Sequence, residues 1–176
     1  MNDTTFPEDF SNFVIGQKYS TLKADRSTTN ASAALSLISQ ARQSIDIFSH
    51  DLDPRILNST EISDAVKQFI KISSKSKIRI LISDPDQPLK RGHCLIELSR
   101  RFSSFISIRT TNVDYQSTAY SFLMVDHKAL LYRPNSNQYL ALVNFSAQSE
   151  CRQYREFFNT VWDNSEPASE IRQLFI

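Results

Sequence analysis

Two hydrophobic rhythms alternate along this chain. In "TEISDAVKQFIKI" the apolar residues Ile62, Ala65, Val66, Phe69 and Ile70 recur at i, i+3, i+4, i+7 and i+8, the stripe of an amphipathic helix. Ser59 or Thr60 is placed to cap it, and Glu61 suits its electropositive first turn. Tyr154, Phe157, Phe158, Val161 and Trp162 repeat that stripe in a helix capped by Ser149. "STTNASAALSLISQARQSI" reads as an earlier helix capped by Asn30 or Ser32, and a third runs from about Gly92 to Phe102 with Leu95, Leu98 and Phe102 inward. Pro167 suits the start of a short terminal helix. Between the helices the period drops to two. "SIDIFSH", "KIRILISD", "FISIRTT", "AYSFLMV", "ALLYR" and "YLALVNF" read as strands, and Leu81 opposite Ile78, Ile80 and Ile82 implies a strand covered on both faces.

The early elements alternate helix and strand, which implies parallel crossovers; the later strands follow one another, which implies antiparallel hairpins. The expected fold class is therefore α/β, a mixed β-sheet flanked by helices. Residues 1–29 lack a sustained period and read as an arm that packs on the domain or stays loose, with residues 30–176 as the domain proper.

Composition narrows the function classes. Gly16 and Gly92 are the only glycines, so neither a Walker loop nor a dinucleotide fingerprint can be written, and no cofactor is expected. A net charge of +1 gives no global attraction to nucleic acid or anionic membrane, so any such pull needs local clustering. The polar, acidic start and the lack of a long apolar run point to a cytoplasmic protein that is not membrane-bound. Cys94 and Cys151 read as reduced thiols rather than a disulfide framework.

The stretch "SFLMVDHKALLYR" interrupts two apolar strands with Asp126, His127 and Lys128, residue types a phosphodiester-cleaving site requires. This stretch, the helix leading into "IDIFSHDLD", the strand "KIRILISD" and the ending "REFFNTVW" together resemble one repeat of the phospholipase D-like superfamily over residues 30–163. The resemblance implies a signature of His-x-Lys followed by four residues and an aspartate, its histidine attacking phosphorus and its lysine steadying the phosphate. Matching Asp126 to that aspartate puts Ala119 at the histidine position and Ser121 at the lysine position. His127 and Lys128 follow the aspartate, adjacent to each other, and would point apart on a strand; they occupy the hairpin turn. The Gly-Ser-x-x-Asn motif of the superfamily is not recognisable, although Asn144 and Ser146 lie nearby. The implied state is a scaffold with a degenerate catalytic signature: a non-catalytic binding or regulatory module. Because active members combine two signatures, the resemblance also implies a homodimer.

The tentative ligand-binding set is His50, Asp51, Asp84, Arg91, His93 and Asp126, expected together at the carboxyl edge of the sheet, where ligands of open α/β sheets gather. Two further readings compete. Asp51, Asp53 and Asp84, in "HDLDP" and "SDPDQP", supply the oxygen ligands of a metal-dependent phosphate-ester hydrolase, although aspartates are equally standard turn residues. Lys71, Lys75, Lys77, Arg79, Arg100, Arg101 and Arg109 form a basic strip for weak nucleic-acid binding, although most charge runs are solvated faces.

Overall fold

The computed structural model describes residues 4–172. Its elements open with β1 (Thr4–Thr5), β2 (Thr21–Ala24), α1 (Ser27–Gln40) and β3 (Ser44–Ser49). α2 (Pro54–Leu57), α3 (Thr60–Ile72), β4 (Lys77–Ile82), α4 (Asp86–Arg91), α5 (Cys94–Arg101) and β5 (Ile106–Thr110) follow. The second half holds α6 (Val113–Gln116), β6 (Ser121–Val125), β7 (Ala129–Arg133), β8 (Ala141–Asn144), α7 (Gln148–Asp163), β9 (Glu166–Pro167) and α8 (Ser169–Arg172).

The strands form one mixed sheet ordered β1-β2-β8-β7-β6-β3-β4-β5-β9. β3, β4 and β5 are parallel, with Ile45 opposite Ile78 and Ile47 opposite Ile80, while β6, β7 and β8 are antiparallel. The α/β class and its mixed sheet are as the alternation of periods predicts.

Period-two alternation sorts the side chains into two layers. Ile45, Ile47, Ile78, Ile80, Leu123 and Val125 join the core with Leu37, Ile62, Val66, Phe69 and Leu95 of the helices on one face. Phe48, Leu81, Phe122 and Met124 pack on the other face against Phe158 and Val161 of α7. Each fully buried side chain of this size adds roughly 1.5–3 kcal/mol of transfer free energy, so a strand lined on both faces contributes to both layers of the core.

The amino-terminal segment is part of this body. β2 pairs with β8, Phe10 is fully buried in the larger core, and the Gly16 N–H donates to the Phe145 carbonyl at 2.7 Å. The expected break between residues 29 and 30 falls inside α1. The helix starts earlier than its expected caps: Thr29 Oγ1 accepts from the Arg26 N–H at 3.1 Å, and Asn30 Nδ2 donates to the Arg26 and Tyr139 carbonyls. Residues 1–3 of the expected arm and 173–176 of the expected domain lie outside the described residues.

Candidate functional site

The sheet has two edges of opposite character. At the carboxyl edge β3, β4, β5 and β7 end and β6 begins; at the amino edge the same parallel strands start.

At the carboxyl edge, β3 runs out through Ser49, whose Oγ accepts from the Leu52 N–H at 3.0 Å. Leu52 is buried yet holds φ +54°, a left-handed conformation costly for a branched side chain. His93 secures that bend. Its Nδ1 accepts from the Leu95 N–H at 3.2 Å, capping α5, so Nε2, 3.0 Å from the Leu52 carbonyl, carries the proton and donates to it. Burial drops the His93 pKa to about 4, keeping the ring neutral. It positions a loop and is not an available nucleophile.

His50 is exposed on that loop, and its carbonyl accepts from the Asp84 N–H at 2.7 Å, tying the two loops together. Asp84 Oδ1 accepts from the Asp86 N–H at 3.0 Å, and Asp53 Oδ1 accepts from the Arg55 N–H at 3.0 Å as the cap of α2. Burial, and then Asp53 close by, raises the Asp51 carboxyl above the ordinary carboxylate value. Asp51, Asn58, Gln87, Arg91 and His93 line a hollow of about 300 Å³. Among the described residues no three His, Cys, Asp or Glu side chains are grouped to hold a metal, so Asp51, Asp53 and Asp84 do not assemble the alternative cation site.

A second opening lies at the start of β6. Ser49, Asp53, Ser121 and Arg133 meet there among Ile47, Leu57 and Leu131, and the cleft offers about 30 Å³. That is room for a water or two, not for a phosphodiester. Arg133, paired across the ladder with Ser121, lines this cleft, but its guanidinium is occupied by the protein itself. Its guanidinium donates to the Gln138 and Ser136 carbonyls at 2.6–3.0 Å, lies 3.5 Å from Asp53, and stacks 5.2 Å from the centre of the Tyr139 ring. This clamp, absent from the expected set, was signalled in the sequence only by an arginine ending a strand before Pro134.

Asp126 is not part of this edge, which corrects the expected grouping. It lies at the amino edge, where its carboxylate accepts from the backbone N–H groups of Arg42, Gln43 and Ser44 at 2.9, 2.7 and 2.9 Å. Asp126 and His127 both adopt positive φ, and the Lys128 N–H closes the turn on the Val125 carbonyl at 2.9 Å. The polar knot is a hairpin turn whose aspartate anchors the entry to β3.

The expected basic strip divides. Arg79 turns under α7: it donates to both oxygens of Asp46 at 2.8 and 2.9 Å and lies 4.7 Å from the centre of the Phe158 ring. Burial alone raises the Asp46 carboxyl pKa; His127 and Arg79 outweigh it and leave the carboxyl below its ordinary value. Of the two, the bidentate Arg79 pair is the tighter contact, since His127 Nε2 lies 3.4 Å away. Arg109 donates to the Trp162 carbonyl at 2.8 Å and stacks 4.6 Å from its ring. Both arginines therefore pin α7 and leave the strip.

The two cysteines are free thiols; burial pushes Cys94 up to about 11 and Cys151 up to about 12. No helix among the described residues is long and apolar enough to cross a membrane.

With this geometry in view, residues 26–174 match a family model described as "Domain of unknown function (DUF7931)". The chain belongs to that family. No curated protein matches it. Among solved structures it is similar to the phospholipase D family member Nuc from Salmonella typhimurium, at 17% identity and a TM-score of 0.56 over 76% of this chain and 87% of that one. It is similar to the archaeal chromatin protein TrmBL2, at 13% identity and a TM-score of 0.63 over 84% of this chain and 53% of that one. It is also similar to the phosphatidylserine synthase of Haemophilus influenzae Rd KW20, at 12% identity and a TM-score of 0.60 over 88% of this chain and 41% of that one. The DUF7931 chain thus has a phospholipase D-like fold.

Proposed function

We propose that this chain is a non-catalytic binding module on a phospholipase D-like scaffold. The observation that carries the reading is that the three histidines stand in three different places and none belongs to a His-x-Lys pair. His50 stands on the loop after β3, His93 is buried as a helix cap, and His127 lies at the opposite edge of the sheet. No histidine in the sequence is followed two positions later by lysine. The positions matched to the superfamily's histidine and lysine hold Ala119 and Ser121, and the cleft beside Ser121 is too small for a phosphodiester. A nucleophile is the group whose loss costs such chemistry most.

A binding role accords with the occurrence of this fold in a chromatin protein described as having a novel mode of DNA binding. The hollow lined by Asp51, Asn58, Gln87 and Arg91 offers a carboxylate, two amides and a guanidinium to a small polar ligand. The test is hydrolysis of a chromogenic phosphodiester by the purified chain. The expected result is no release of product above buffer. Turnover that vanishes in His50→Ala would overturn the reading.

A further inference from the structure

The amino edge carries a charge pattern that the bulk composition conceals. Between β7 and β5 its four connections are Ala41–Gln43 before β3, Ser73–Ser76 before β4, Phe102–Phe105 before β5 and Asp126–Lys128 before β7. The only acidic residue in them is Asp126, and that carboxylate is buried and occupied by three backbone N–H groups. Around it Arg42, Lys71, Lys75, Lys77, Arg101 and Lys128 are all exposed, and none forms an ion pair among the described residues.

Helix dipoles account for only part of this set. Lys71 and Arg101 sit in the last turns of α3 and α5, where a cation complements the negative helix end. Arg42, Lys75, Lys77 and Lys128 belong to loops or a strand start and have no such role. The carboxyl edge differs: Asp51, Asp53, Asp84, Asp86 and Asp114 lie in its connections together with Arg55, Lys90 and Arg91, so its charges are mixed. The near-neutral total therefore hides a basic amino edge.

We propose that the amino edge docks on the phosphate backbone of a nucleic-acid duplex without reading its sequence. From β7 across β6, β3 and β4 to β5 the edge spans about 20 Å at the usual strand spacing of about 4.8 Å. That distance covers about six phosphates of one strand. Exposed Ser74, Ser103 and Ser104 lie among the cations and add hydroxyl donors of the kind that position a protein on phosphate. The aromatic rings here do not offer a platform for unpaired bases. Phe102 and Phe105 are half-buried, and Arg101 and Lys77 lie 5.6 and 5.9 Å from their ring centres. A duplex presents charge without needing a stacking face. This surface lies across the sheet from the Ser121 cleft, so its use does not depend on whether that cleft is catalytic.

The test is fluorescence anisotropy of the full chain with two 20-base-pair DNA duplexes of unrelated sequence, titrated from 50 to 200 mM salt. The expected result is binding at 50 mM salt, similar for both sequences, that weakens linearly on a log–log plot. The double variant Lys75→Ala/Lys128→Ala lowers the slope by about 2, at about 0.9 per lost phosphate contact. A second double variant, Arg55→Ala/Lys90→Ala, removes two cations from the carboxyl edge as a control and leaves affinity within about twofold. Thermal melts of both variants that match the parent keep the comparison valid. Absence of binding at 50 mM salt, equal losses in the two double variants, or binding to anionic phospholipid vesicles but not to duplex would each overturn the proposal.

Discussion

The two edges of one sheet use aspartate in opposite ways. At the amino edge Asp126 turns inward and accepts three backbone N–H groups, and every other charge in the surrounding connections is positive. At the carboxyl edge Asp51, Asp53 and Asp84 stay half-buried; Asp53 and Asp84 each accept one local N–H. The difference is one of available donors. Before β3 the chain presents three consecutive N–H groups to one carboxylate, whereas the loops after the strands present one apiece. Asp126 thus serves the backbone it holds, fixing the entry to β3.

Mutation sharpens this contrast, beginning with its strongest contact. Asp126→Ala leaves three backbone donors without a charged acceptor and is expected to destabilise the fold by about 3–4 kcal/mol in urea denaturation. Arg79→Met strands the buried Asp46 carboxylate beneath α7, and a loss of about 3 kcal/mol is expected in the same assay. A loss under about 1 kcal/mol from either change would mean that these contacts are incidental.

His93 gives the carboxyl edge its own signature. Unfolded, it takes up a proton below about pH 6.5; folded, only below about pH 4. The unfolded state therefore binds more protons between those values, and the His93 contribution, complete above about pH 6.5, is lost as pH falls to about 4. The expected loss is about 3 kcal/mol across that window. His93→Asn, which retains a capping side chain but cannot titrate, should flatten the profile. An unchanged profile would assign the pH dependence elsewhere. The smallest effect belongs to Asp84→Ala, which removes a single turn bond and should cost less than about 1 kcal/mol.

Periodicity made the layers legible, because Ile78, Ile80 and Ile82 cannot share a face unless the strand is extended. It also placed Arg79 between two of them, hence on the opposite face. What it did not supply was the identity of the covering layer, so Arg79 and Arg109 read as solvated cations when α7 lies over them. β2 escaped notice because "TLKA" spans two periods of alternation at most, too few to separate from a loop. The expected site failed at Asp126 for a topological reason: β6 runs antiparallel to β3, so the end of β6 meets the beginning of β3. The Arg133 clamp depends on contacts across the β7–β8 connection and back to Asp53, a relation between distant residues that spacing alone does not encode.

One sample tests whether this scaffold binds without cutting. An end-labelled DNA duplex held with excess protein at about 50 mM salt, where phosphate contacts are strong, is followed by anisotropy, then given Mg²⁺ and resolved by denaturing electrophoresis. The expected result is a bound duplex whose strands stay full length after prolonged incubation. Shortened strands that appear with the parent chain and not with His50→Ala would contradict it.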